Sequence, residues 1–492
     1  MRIVLALIGA MFLQAAMAAT YYVATTGNDT TGDGSVGNPW ATVQKGINVA
    51  QAGDTVLVGA GTYSENVSSA RNGTSGSRIV IDGQGVATLS SMVFSHQYLS
   101  LLNMTMKFRS NNWRTFMADG GHFGIISNCT YSGELDSGAN STGIKWDNPN
   151  TTTEPPFGGN INSGALVISN LFTEFRGVPI IQMYGDTNVV VGNRFLDNDT
   201  VDIIHLWGRS NCFIMNLVSN IYISGNSGSH PDFVQTFGPN SGLTNEAYGA
   251  VHMLFESNTV IKMDGEAQLC MFEGHNDRFL YDWTFRNNLF IGVSSKGTMA
   301  FPQVHWLNNT FIRCSTNPVT AGNVLIFTAE TNATFPDFES NTGHGCTVFN
   351  NVFLDCGDGT TNKHVYSVET YITNTVCDYN FVAASNHHAI VQDPSHRAVS
   401  AAGGWDRFAW WEDHGINGGD PLFINEATLN FRCQNGSPLI NSGTNMTGLV
   451  AVDFDGTSRP QGGSWDIGAF EFSAVSVVTP STRKLKGFRL AR

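Results

Sequence analysis

Along the middle of the chain an asparagine, then any residue, then a large apolar residue recurs, each time after a β-rich stretch. The hits fall at Asn170, Asn193, Asn216, Asn258, Asn288, Asn309, Asn351 and Asn380, spaced by 23, 23, 42, 30, 21, 42 and 29 residues. These spacings cluster around one or two multiples of roughly 21–23, a period at which no unit buries its apolar face alone and neighbours must stack. A second marker interleaves with the first: PIIQMYG (179–185), DIIHLWG (202–208), DFVQTFG (232–238) and QLCMFEG (268–274) align without gaps. One unit therefore carries a strand ending in Gly and an Asn corner, with extra residues inserted at particular turns. The expected fold is all-β, a solenoid of short parallel strands with Ile, Val, Leu and Phe in its inward columns. In it, Asn takes the left-handed conformation at each corner and hydrogen-bonds from coil to coil, with coils about 4.8 Å apart. A propeller or sandwich would instead show regular hairpin turns or longer repeats.

Composition agrees. Gly and Asn together make 53 + 46 = 99 of 492 residues, while only 13% are charged and 41% hydrophobic. That is turn-dense and neither helical-bundle-like nor disordered. The net charge of −14 argues against a nucleic-acid partner. A polyanionic substrate stays open, because a local basic patch or a bound cation such as Ca²⁺ can overcome the global balance. No cofactor is required by any motif. Asp453 and Asp455 in DFDG have the look of calcium ligands, but no complete calcium loop follows, and a turn is the plainer reading.

The ends read differently. Arg2, an apolar run from Ile3 to Leu13 and the small-residue pattern Ala16-Met17-Ala18 predict a signal peptide over 1–18. The run is too short to span a bilayer. An exported, non-membrane protein acting as a monomer is expected, with a basic tail over 473–492. The eight cysteines show no CxxC spacing, so zinc is not indicated; they read as buried small hydrophobes, with Cys346–Cys356 as a candidate bridge. Trp40 to Gln51, with Val43, Ile47 and Ala50 on one side, predicts a short capping helix.

Two segments carry a resemblance. YYVATTGNDTTGDGSVGNPWATVQKGINVAQAGDTVLVGAGTY (21–63) and SGSRIVIDGQG (75–85) resemble the N-terminal cap and first coils of secreted right-handed parallel β-helix proteins of the pectate-lyase-like superfamily. DPLF (420–423), GSPLINSG (436–443), DFDGTSRP (453–460) and DIGAFE (466–471) resemble the closing module of many such exported bacterial proteins. The resemblance implies a right-handed parallel β-helix over 19–400 and a closing module over 401–472. It leaves the reaction open, since the superfamily holds lyases, hydrolases, epimerases, esterases and non-catalytic surface proteins.

Polar residues concentrate in three consecutive coils, flanked by insertions expected at Ser219–Ser229 and Pro239–Tyr248. The candidate catalytic residues are His205, His230, Asp202 and Asp232. The candidate substrate-binding residues are Arg209, Gln235, Trp207, Glu273 and His275. The aligned segments put Asp202 with Asp232, Gln182 with His205 and Gln235, and Tyr184 with Trp207 and Glu273. Asp202 and His205 differ by three, so a regular strand would turn them to opposite sides unless one lies at a bulge or strand end. In β-elimination from a polyuronate, His205 or His230 would remove the C5 proton while Arg209 and Gln235 neutralise the carboxylate. In hydrolysis, Asp202 and Asp232 could form a pair at about 5–5.5 Å. The NTD, DD, GHG and RIK set of polygalacturonase-like hydrolases is missing, as is the Asp-Pro-His-Asp signature of alginate epimerases. Lys262 is the one lysine that this reading places near the cluster. The expectation is an extracellular enzyme cleaving a polysaccharide, by elimination on an acidic glycan or by hydrolysis. The rival is a glycan-binding or surface-attachment protein that does not cleave.

Overall fold

The computed structural model describes residues 18–107, 114–118, 120–133, 142–146, 163–177, 179–224, 231–237, 249–264, 267–273, 280–293, 303–316, 324–327, 345–357, 366–368, 375–383, 391–392 and 412–473. Residues 1–17 of the expected signal peptide and the tail beyond 473 lie outside them.

The chain is a right-handed parallel β-helix. Among the described residues thirty strands join one sheet whose neighbours are paired in parallel, each with its counterpart one coil on. A first face runs through Leu166–Ile168, Val189–Val191 and Cys212–Ile214 to Ala250–Glu256 and Leu280–Arg286. A second runs through Leu171–Thr173, Arg194–Asp199, Leu217–Tyr222, Thr259–Met263 and Leu289–Val293. A third runs through Thr142–Trp146, Ile181–Tyr184, Ile204–Arg209, Asp232–Phe237 and Gln268–Glu273.

Register settles the coil length. Leu166 pairs with Val189 and Val189 with Cys212, a step of 23 residues. Cys212 then pairs with Leu254, and His305 with Thr347. The 42-residue spacings are therefore single coils lengthened by insertions, not two coils as the period alone suggests. Leu217–Tyr222 is likewise a second-face strand, so the insertion expected from Ser219 begins only after it.

The asparagine motif is a continuous ladder. Each of Asn170, Asn193, Asn216, Asn258, Asn288, Asn309 and Asn351 donates its backbone N–H and its Nδ2 to the Oδ1 of the next, at 2.8–3.1 Å. Asn380 ends the ladder on the carboxylate of Glu412. The left-handed residue is not the ladder asparagine but the one before it: Ser169 (φ 57), Gly192 (φ 64), Met215 (φ 54), Ser257 (φ 53) and so on. The sharp turn therefore falls on the residue ahead, leaving each Asn side chain turned inward to satisfy the corner's backbone groups.

Inside, aromatic rings stack along the axis: Tyr131, Phe172 and Phe195 at 4.9 and 4.8 Å, and Phe255, Phe285 and Trp306 at 4.6 and 4.1 Å. Helix Val43–Val49 covers the first coil, with Thr42 as its N-cap and Val43, Gly46 and Ile47 buried. Glu65 accepts the first-turn N–H groups of Val43 and Gln44.

The closing module adds the last described rung, Ile416–Asn417, then folds back along the flank. Phe423, Phe431, Leu439, Ile467 and Phe470 cover the outer side of the second face at Leu289, Ile312, Val352 and Phe381. Asn287, Asn308 and Asn350 bond the module's carbonyls of Val452, Asp466 and Thr444.

All eight cysteines are free thiols, so the Cys346–Cys356 bridge is not formed. Burial pushes the Cys129 thiol up to about 12 and those of Cys346 and Cys433 to about 11. Asp453 is a turn former, its Oδ1 accepting the N–H groups of Asp455 and Thr457. Asp455 pairs with Arg432 through both carboxylate oxygens.

Candidate functional site

The third face concentrates the chemistry. Its register aligns Lys145, Gln182, His205, Gln235 and Met271 in one column. Ile144, Trp146, Ile181, Met183, Ile204, Leu206 and Val234 belong to the core. Strand alternation therefore turns Lys145, Gln182, His205 and Gln235 outward. They are nonetheless only 6, 6, 4 and 3% exposed. Beside them Tyr184 and Trp207 form a second outward column, also buried. The row sets amide, imidazole and ammonium groups next to aromatic rings.

Asp202 and His205 meet. The strand begins only at Ile204, so Asp202 stands before the regular alternation starts. Its Oδ2 lies 2.9 Å from His205 Nε2, and its Oδ1 accepts the Asp232 N–H at 2.9 Å. Trp207 meets the His205 ring edge to face, with centroids 5.9 Å apart. One carboxylate thus orients the imidazole and fastens the following coil.

The other candidates divide. Gln235 sits beside His205 in the next coil. Asp232 is fully buried, and its charge adds to the burial that pushes the Cys270 thiol well above its ordinary range. Arg209 closes its strand with its guanidinium on Asp186 of the preceding coil, at 2.5 and 3.0 Å. Glu273 lies in register with Phe237. His230 and His275 lie outside the described residues.

Lys145 escapes sequence alignment because 37 residues separate it from Gln182 (182 − 145), where the next two steps of the column are 23 and 30. Its strand also lacks the terminal Gly of the other four. The signal that could have found it is the alternation Ile144-Lys145-Trp146, apolar on both sides of one cation.

Among the described residues no three His, Cys, Asp or Glu side chains converge as metal ligands, and no helix is long and apolar enough to cross a membrane.

Comparison with known proteins gives likeness of form. The family described as "Protein of unknown function (DUF1565)" matches residues 25–70. No curated protein matches the sequence. Among solved structures, pectate lyase Pel9A is 15% identical, with 93% of this chain and 97% of that one covered at a TM-score of 0.47. A mannuronic-acid-specific family 6 polysaccharide lyase from human gut microbiota is 13% identical, with 76% and 83% covered at 0.43. The GH136 lacto-N-biosidase from Eubacterium ramulus is 10% identical, with 81% and 68% covered at 0.39. The fold stands on the strand register itself, and no residue role passes across at these identities.

Proposed function

We propose that the protein is an exported enzyme that cleaves a polysaccharide by β-elimination from an acidic, uronate-containing glycan. The observation that carries this reading is the Asp202–His205 hydrogen bond set in a column of outward-facing polar side chains. An Nε2–H donated to Asp202 leaves the imidazole lone pair on Nδ1, the nitrogen that would take the C5 proton. Lys145, Gln182 and Gln235 supply a charge and amides for the substrate carboxylate and the enolate that develops from it. Arg209, already held by Asp186, serves the wall of the site more than the reacting centre.

Hydrolysis by an Asp202–Asp232 pair is the second reading, favoured by the Asp232 backbone N–H on Asp202 Oδ1, which holds the two residues together across adjacent coils. It asks Asp202 to leave two partners at once, and so ranks below elimination.

The test is turnover on a panel of polyuronates and neutral glycans, with calcium or with chelator, following unsaturated-product absorbance and new reducing ends together. Both signals establish a lyase, and reducing ends alone a hydrolase. Saturable binding with neither signal across the panel makes the protein a glycan-binding β-helix and ends the enzyme reading.

A further inference from the structure

Two buried thiols unused by this chemistry occupy equivalent places in adjacent coils. Strands Thr310–Ile312 and Val352–Leu354 pair in register, Thr310 with Val352, Phe311 with Phe353 and Ile312 with Leu354. Two residues further on stand Cys314 and Cys356, each after a left-handed residue, Arg313 (φ 51) and Asp355 (φ 52). The backbones stay joined there: Arg313 N–H donates to Leu354 O and Gly357 N–H to Cys314 O, both at 2.9 Å. The thiols take matching positions, Cys314 Sγ at 3.7 Å from Ile312 O and Cys356 Sγ at 3.6 Å from Leu354 O.

In-register neighbours of a parallel sheet are separated by about 4.8 Å, inside the Cα separation of roughly 4.4–6.8 Å that a disulfide spans. The next cysteine pair in the fold is offset instead, since Cys377 pairs with Val348 while Cys346 lies two residues before it.

We propose that Cys314 and Cys356 are a disulfide-forming pair that staples the two coils on either side of a 42-residue turn of the solenoid (356 − 314). Each cysteine gives up its thiol hydrogen and one sulfur–sulfur bond forms. The two electrons and two protons pass to a low-molecular-weight disulfide of the glutathione type, whose own sulfur–sulfur bond breaks to two thiols. The reaction belongs to folding. In the finished core, burial holds the Cys356 thiol well above its ordinary range, and the attacking thiolate is then scarce. Export decides only whether such an oxidant is met.

The experiment unfolds the full chain, refolds it in a glutathione redox buffer, alkylates under denaturing conditions and maps the peptides. The expected result is six alkylated cysteines, eight minus two, with the Cys314 and Cys356 peptides linked. Cys314→Ser should return Cys356 to the alkylated set. Eight alkylated cysteines in refolded protein with the native circular dichroism spectrum, or a link between any other pair, overturns the proposal. If refolding fails, the same map on protein recovered from the oxidising compartment of an exporting host decides by the same two results. A link that forms on refolding but is missing from the protein in its own host supports the pair and removes export.

Discussion

Asp202 Oδ2 stands 2.9 Å from His205 Nε2 while Asp202 Oδ1 accepts the Asp232 N–H, so this carboxylate has a structural and an orienting task at once. Asn at position 202 separates them. Its Oδ1 can keep the Asp232 N–H, while its Nδ2 donates to His205 Nε2 and forces the proton onto Nδ1. Asp202→Asn should then lower kcat about 10²–10⁴-fold, with the melting temperature and equilibrium glycan affinity close to wild type. His205→Ala should cost as much, and the double variant no more. Additive losses in the double variant would mean that the two residues do not act as a unit.

Lys145 lies two coils from His205 in the same outward column. A contact to a charged group contributes about 1.5–3 kcal/mol, so Lys145→Met should raise KM for a polyuronate roughly ten- to a hundredfold while changing kcat little. Neutral glycans should bind unchanged, and added salt should weaken the wild type more than the variant. A fall in kcat at unchanged KM would move Lys145 into the reacting centre.

The ladder makes a prediction about stability. Asn258 Oδ1 accepts both the N–H and Nδ2 of Asn216, and its own Nδ2 donates to Phe213 O and Asn288 Oδ1. Asn258→Ala strands the buried N–H of Asn216 and takes the side-chain donor from Phe213 O, at about 1–3 kcal/mol each. Denaturant unfolding should show a loss of this order, whereas Asn445→Ala, a turn asparagine bonded only to the Thr447 N–H, should lose far less. Equal losses would show that the ladder is ornamental to stability.

That ladder also shows what was legible in the sequence. All eight asparagines of the motif are its members, because a repeat that stacks must place like residues in one column. The columns of the third face were legible for the same reason: the gap-free segments at 179, 202, 232 and 268 pair in the register that alignment gives. Lys145 was not, since insertions break the period without marking where the strand resumes. Nor was the encounter of Asp202 with His205, which depends on the strand starting at Ile204 rather than at Asp202. The left-handed corner residue was misplaced by one, because Asn both tolerates that conformation and caps the residue that adopts it.

Arg459 is the fastening of the closing module. Its guanidinium, wholly buried, bonds Glu471 Oε2 and Gly468 O at 2.8 Å and reaches Asn287 of the helix at 3.3 Å. Arg459→Met leaves Glu471 charged and buried, a loss of about 3–5 kcal/mol. The expected outcome is a lower melting temperature and rapid proteolysis between 441 and 473, with Arg459→Met/Glu471→Leu recovering most of the stability. A double variant as weak as the single one would show that the guanidinium's other bonds, not the unpaired carboxylate, dominate.

On the first face His305 donates to or accepts from Thr347 Oγ1 at 2.8 Å through Nδ1, and its Nε2 lies 3.7 Å from Asp282 Oδ1. The same Asp282 holds His252 at 2.5 Å. Burial lowers the His305 pKa, and Asp282 opposes that only in part. A histidine depressed in the folded state binds fewer protons there than in the unfolded chain. Its contribution to stability is therefore present above the unfolded value of about 6.5 and is lost as pH falls from there to the lowered folded value. His305→Gln should shrink the drop in melting temperature between neutral pH and about pH 5. It should not remove it, since His96 and His122 are depressed by burial in the same direction. A larger drop in the variant would mean that Asp282, not burial, governs His305, and that the imidazolium is the form the fold prefers.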